Sequence, residues 1–202
     1  MNIKYKKALN MIREGDVLLY KSKSTIGWII GKATESQYSH VAVASKHNGY
    51  FECVEFREGK GGRSVNLKNE VDLHSNNIDV YRPIPYIYKY NFKNNKIRLK
   101  VKKLNQKHVT NCMRSLTGLP YGWKRIWWIA KHKLAGFRLF FKMKDLTNDG
   151  NGSIVYPICS SACAWAFSQS GFDLVANKGD NWTTPGDIAR SPLLSYLFTL
   201  EK

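Results

Sequence analysis

A chain of 202 residues with 43% hydrophobic and 13% aromatic side chains is long enough to bury a core of its own and too apolar to stay disordered. Its 32 Lys and Arg against 15 Asp and Glu leave a formal charge of +17, which points toward polyanions as partners and says nothing about fold. Four cysteines, Cys53, Cys112, Cys159 and Cys163, make no CxxC pair and no Cys/His zinc spacing; no metal and no cofactor are expected, and the thiols are too few for a disulfide framework.

The N-terminus carries positive charge but runs into Met11-Ile-Arg-Glu-Gly-Asp16 in place of an apolar core and cleavage site. No apolar run is long and uninterrupted enough to span a bilayer. A cytoplasmic location is therefore expected, with delivery to a wall or membrane by another route as the alternative. Residues 1–13 read as a short amphipathic helix or a lead segment. Glu14-Gly-Asp16 is a turn, and Val17 to Tyr20 has the apolar pattern of a strand. Ser24 to Ala33, opened by Ser/Thr and with Ile26, Ile29 and Ile30 on one side, predicts a short helix. Tyr38 to Ser45 and Tyr50 to Arg57 read as two strands joined by the Asn48-Gly49 hairpin signal. Gly59 to Gly62 is a tip, Arg63 to Leu67 resumes an extended run, and Ile78 to Pro83 is a strand closed by its proline.

Composition shifts after Pro85. Residues 86–103 mix Lys with aromatics and read as a loop or an edge segment, and 126–143 is rich in Trp, Phe and Lys, either a helix pair over the sheet or a membrane-surface patch. Lys107 to Leu116 predicts a helix ending before Gly118. Asn148 to Ser153 has the composition of a calcium loop without its downstream acidic ligand, so it reads as a turn. A helix from Ser160 to about Ser170 stops at Gly171, Thr183-Thr-Pro-Gly-Asp187 caps another, and Ser191 to Phe198 supplies closing apolar packing. Strands first and helices later argue an α+β domain over 1–202, a small antiparallel sheet against a helix.

The chemistry centres on Tyr156 to Phe167. Cys159 lies beside a helix start, where unpaired N–H groups and the helix dipole favour a thiolate, and Ser160 and Ser161 are the available caps. A cysteine nucleophile needs a base, and that base a polar group to hold its ring. His47, His74, His108 and His132 sit in turn, loop or Lys-rich contexts and read as surface residues; His40 opens an apolar strand and is the candidate base. Glu52 and Glu55 on the next strand are candidates for the third group. Three residues apart, they fall on opposite faces by the two-residue period, so at most one shares a face with His40 in a regular strand.

Six motifs in order, Gly15-Asp16, Ser39-His-Val-Ala42, Val54-Glu-Phe56, Leu119-Pro-Tyr-Gly-Trp123, Cys159-Ser160 and Thr184-Pro-Gly-Asp-Ile-Ala-Arg-Ser191, resemble the permuted NlpC-type, papain-like cysteine hydrolases, particularly the YiiX/YaeF-like branch. The resemblance runs from about Glu14 to Ser191. It implies a circularly permuted papain-like fold with a barrel-like sheet, and insertions at 86–103 and 126–143. It also implies Cys159 as nucleophile, His40 as base, Glu55 as the most fitting orienting residue, and Cys163 as a buried neighbour. The implied reaction is hydrolysis of an amide, as in peptides or peptidoglycan stems, or of an acyl bond, relatives including the lecithin retinol acyltransferase type. The implied substrates are a peptide, an amino-acid amide or a lipid acyl group. Competing readings are a non-catalytic binding module of the same fold and a basic protein that binds nucleic acid or an anionic membrane; oligomeric state is not read.

Overall fold

The computed structural model describes residues 1–21, 36–84, 86–91, 96–101, 104–122, 157–176 and 178–202, with 86–91 and 96–101 described in backbone only. The short helix predicted at 24–33, the stretch 126–143 read as a helix pair or a membrane-surface patch, and the turn at 148–153 lie outside these residues. Nine strands are present among them: β1 Asn2–Lys4, β2 Val17–Lys21, β3 Tyr38–His47, β4 Tyr50–Arg57, β5 Gly61–Asn66, β6 Ile78–Pro83, β7 Tyr86–Asn91, β8 Lys96–Val101 and β9 Leu194–Glu201. The helices are α1 Tyr5–Ala8, α2 Leu67–Leu73, α3 Gln106–Ser115, α4 Cys159–Gln169 and α5 Pro185–Ala189, with a 3-10 turn at Asp180–Trp182 before α5.

Seven strands form one sheet in the order β1-β9-β6-β2-β3-β4-β5. This corrects two expectations. The sheet is mixed, because β1 runs parallel to β9, and it is open, with β1 and β5 at its edges, so it does not close into a barrel. β9 comes from the segment read as closing apolar packing and sits inside the sheet, paired with β6 on one side and β1 on the other. The segment after Pro85 is also more regular than expected: β7 and β8 pair as a separate two-stranded antiparallel sheet.

The central hairpin follows from its turn. Asn48 and Gly49 both take positive φ, 46° and 87°, which a two-residue turn matched to the strand twist requires and which these two residue types tolerate best. Alternation then divides β2, β3 and β4 between two cores. Val17, Leu19, Val41, Val43, Val54 and Phe56 pack beneath α3 and α4, while Leu18, Ala42, Ala44 and Cys53 join α1, α2 and β9 on the other face. Helix α4 can come close to the sheet because its buried face is built of Ala162, Cys163 and Ala166, with Phe167 as the one large anchor. Truncating Phe167 to Ala would cost about 3–5 kcal/mol, the usual figure for an aromatic lost from a packed core.

Gly61 and Gly62 have a definite job. The backbone of the loop after α3 passes so close that a Cβ at either glycine would meet the carbonyl oxygens of Leu119 or Leu116. Two backbone hydrogen bonds use that closeness, Gly62 N–H to Leu119 O and Gly118 N–H to Gly62 O, both 2.9 Å. The tip read as a turn is thus the anchor of the loop that carries Tyr121.

Candidate active site

Helix α4 begins at Cys159. Ile158 is extended at φ −110° and ψ 170°, and its N–H is taken by the Ser161 hydroxyl at 2.9 Å, so one of the two serines proposed as caps does satisfy an orphan donor. The other, Ser160, is fully buried with its hydroxyl unpartnered among the described residues. All four cysteines are free thiols, and Cys159 is 4% exposed.

His40 reaches this thiol from the sheet. The β2–β3 register slips by one residue beside it, with Tyr20 opposite His40 and then Lys21 opposite Tyr38. A bulge of this kind turns the strand and re-aims the side chains next to it. The imidazole consequently meets two partners. Its Nε2 lies 2.6 Å from Glu55 Oε2, and the Cys159 thiol hydrogen-bonds to the same ring. With Nε2 committed to Glu55, Nδ1 is the nitrogen left for sulfur. Burial alone would lower the pKa of His40, but the Glu55 carboxylate and Cys159 outweigh it and take the imidazole to about 9. The Tyr20 ring stands edge-on to the imidazole at 5.0 Å and limits its tilt.

Glu55 is completely buried. It pairs directly with Ala42, two residues along β3 from His40, so the carboxylate shares the face of His40 and reaches it diagonally past a methyl group. Burial would raise its pKa; His40 with Arg57 and Arg63 overcomes that and holds it at about 2. Arg63, directly opposite on β5, puts Nε at 2.8 Å and Nη2 at 2.5 Å from Glu55 Oε1. The same Nη2 is 3.3 Å from Oε1 of Glu70 on α2, whose Oε2 accepts from Arg57 Nη2 at 3.1 Å. His74, read as a surface residue, accepts from Arg57 at Nε2, 2.9 Å, and turns its ring edge to Tyr20 at 5.6 Å. Burial and the Arg57 charge hold its pKa below the ordinary value, which suits an acceptor.

Glu52 belongs to the opposite face, as the two-residue period requires. It accepts from Ser64 at 2.6 Å and from Arg114 of α3 at 2.5 Å, and Arg114 also bonds Ser45. Glu52 therefore ties α3 to the sheet and is not brought to His40. His47 and His108 are exposed, as expected of surface residues, and His132 lies outside the described residues. Cys163, one turn after Cys159, is buried, which pushes its thiol pKa well up and leaves it protonated.

Tyr121 was not singled out by sequence beyond its place in the Leu119–Trp123 motif. It is buried, and its hydroxyl hydrogen-bonds to Cys159. Burial, then the neighbouring sulfur, raises its pKa strongly, so the phenol keeps its proton and can only donate toward an anion. The loop is fixed at both ends, by the Gly62 bonds and by Gly122 N–H to Pro157 O at 3.1 Å, immediately before the cysteine helix.

The sequence matches no family model and no curated protein sequence. In structure the chain is similar to the crystal structure of YiiX from Escherichia coli O157:H7, described as a metalloprotein, with a TM-score of 0.60 at 13% identity over 94% of this chain and 98% of that one. Among the described residues of this chain, no group of three or more His, Cys, Asp or Glu is placed to hold a metal ion, and no helix is long and apolar enough to cross a membrane.

Proposed function

The chain has a YiiX-like α+β fold, and from that fold and the local geometry we propose that it is a permuted papain-like cysteine hydrolase, cleaving an amide or acyl bond through a thioester on Cys159. The observation that carries this reading is the imidazole of His40 held between a buried carboxylate at 2.6 Å and the thiol at the start of α4. With the proton of the pair already held on the His40 imidazolium, the sulfur attacks the substrate carbonyl carbon to form a C–S bond. The tetrahedral oxyanion lies beside the first N–H groups of α4 and the Tyr121 hydroxyl, donors that need no reorganisation to receive it. His40 then gives its proton to the departing nitrogen or oxygen as the C–N or C–O bond breaks. In the second half His40 takes a proton from water as the resulting hydroxide adds to the thioester carbon; the C–S bond then breaks, the acid product departs, and the proton stays with the Cys159–His40 pair. Glu55 stays ionised and steadies the imidazolium.

The charge pattern bears on where such a substrate lies. Between Asp79 and Asp145 there is not one Asp or Glu, and the 17 Lys and Arg of that stretch equal the whole net charge; the rest of the chain balances 15 basic with 15 acidic residues. A peptide or acyl group on an anionic polymer or lipid surface would be drawn to such a region. Mass spectrometry of the protein mixed with a panel of peptide amides, amino-acid amides and acyl esters tests the reading. A transient adduct with the acyl group's mass on Cys159, absent in Cys159→Ser, is the expected result; turnover that persists in Cys159→Ser would reject the cysteine mechanism.

A further inference from the structure

Beneath the proposed dyad lies a chain of charged and titratable groups. It runs Glu70 on α2, Arg63 on β5, Glu55 on β4, His40 on β3 and Cys159 on α4, one element per member. We infer that Arg63 is a positioning residue: by taking Glu55 Oε1 through two N–H groups it leaves Oε2 as the only oxygen offered to His40, and so sets the imidazole against Cys159. The inference rests on the reading of Cys159 and His40 as a catalytic pair, but it concerns a geometry that can be read without turnover.

A buried glutamate has a soft terminal torsion, and a carboxylate with both oxygens free could meet a ring nitrogen in several orientations. The planar guanidinium fork removes that freedom in a way a lysine could not, because both donors address one oxygen from a fixed direction. Glu70 holds the fork from behind at 3.3 Å and is itself held by Arg57, whose guanidinium lies 5.6 Å over the Tyr20 ring. Among the described residues, the charged or titratable groups facing this side of His40 are Tyr20 from β2, Cys53, Glu55 and Arg57 from β4, Arg63 from β5, and Glu70 and His74 from α2 and its end. Cys159 and Tyr121 face it from the helix side.

Removal of Arg63 has opposite consequences under the two roles it could play. As a plain neighbouring positive charge, its loss would make the His40 imidazolium easier to form and raise its pKa. As the group that aims Glu55, its loss lets the carboxylate turn away, and burial, no longer opposed, drives the His40 pKa down. The test is an NMR titration of the His40 ring in the full chain with Arg63→Gln and Arg63→Lys, alongside iodoacetamide labelling of Cys159 at pH 7. We expect the midpoint to fall by one unit or more from about 9 in Arg63→Gln, with labelling slowed about tenfold, and a partial return of both in Arg63→Lys. A midpoint that stays or rises overturns the positioning role. Should Arg63→Gln not fold, Glu70→Gln loosens the fork from behind and should shift the midpoint in the same direction by a smaller amount; no shift there also counts against it. If the hydrolase reading alone is wrong, wild-type Cys159 labels no faster than Cys112 while the His40 shift is still seen.

Discussion

Glu52 and Glu55 stand three residues apart on one strand, both largely buried and both ion-paired to an arginine, yet they serve different purposes. Glu52 faces α3, and its partners Ser64 and Arg114 lead on through Ser45 to Glu14 and reach no histidine; its work is to fasten a helix to the sheet. Glu55 faces the bulged start of β3, where its second oxygen is taken by an imidazole that in turn meets a thiol. Residue type does not distinguish the two. What distinguishes them is which side of β4 they leave, and what the register of β3 has placed diagonally opposite. A buried ion pair is weak evidence for function, and an ion pair whose free oxygen is spent on a histidine beside a helix-start cysteine is much stronger evidence.

The contrast can be broken by substitution. Cys159→Ala and His40→Ala remove reacting groups and should abolish turnover, a loss of about 10³-fold or more measured as kcat/KM on whichever substrate forms the adduct. Glu55→Gln should follow, with activity down about 10²-fold, because the amide no longer steadies the imidazolium. It should also lower the unfolding free energy by about 3–5 kcal/mol in a urea melt, as Arg57 and Arg63 lose their buried counter-charge. Tyr121→Phe, which deletes one donor beside the sulfur and nothing from the core, should cost about tenfold in kcat with little change in KM. Glu52→Gln should be the mildest for function, under about twofold in kcat/KM. Its effect is on stability, about 1–3 kcal/mol, from the loosened contact with Arg114. Equal losses of activity in the two glutamate variants would erase the distinction between Glu52 and Glu55.

The pH dependence sharpens the same point. His40 has a folded pKa of about 9 against 6.5 for the free side chain, so its charged form stabilises the fold fully below about 6.5, and the contribution is lost as pH rises through 9. The melting temperature of wild type should therefore exceed that of His40→Gln most at pH 6, and the gap should narrow toward pH 10. A gap that widens with pH would mean that the imidazole is buried neutral.

Much of this pair was legible in the sequence. Alternation alone separated Glu52 from Glu55, Asn48-Gly49 fixed which strands would be adjacent, and Gly171 with its φ of 73° ended the cysteine helix where expected. Other parts were hidden for definite reasons. β9 was missed because Ser191 to Phe198 carries Pro192 at its second position and does not alternate cleanly, and its partners β1 and β6 are distant in sequence. Helix α2, seven residues capped by Asn66, is too short to show a period, so Glu70 and His74 could not be placed beneath Glu55. Tyr121 reaches Cys159 only because two glycines let a loop lie against β5, and close approach of backbone leaves no mark in the sequence except the glycines themselves.

Competitive labelling of the four cysteines with limiting iodoacetamide at pH 7, read peptide by peptide by mass spectrometry, goes straight to whether Cys159 is an activated nucleophile. Cys159 is 4% exposed and Cys112 is the more accessible thiol, so access alone would favour Cys112. The Cys159–His40–Glu55 unit predicts the reverse, with Cys159 modified at least tenfold faster in wild type and that advantage lost in His40→Ala. Labelling that follows accessibility, with Cys112 first and no change in His40→Ala, would contradict it.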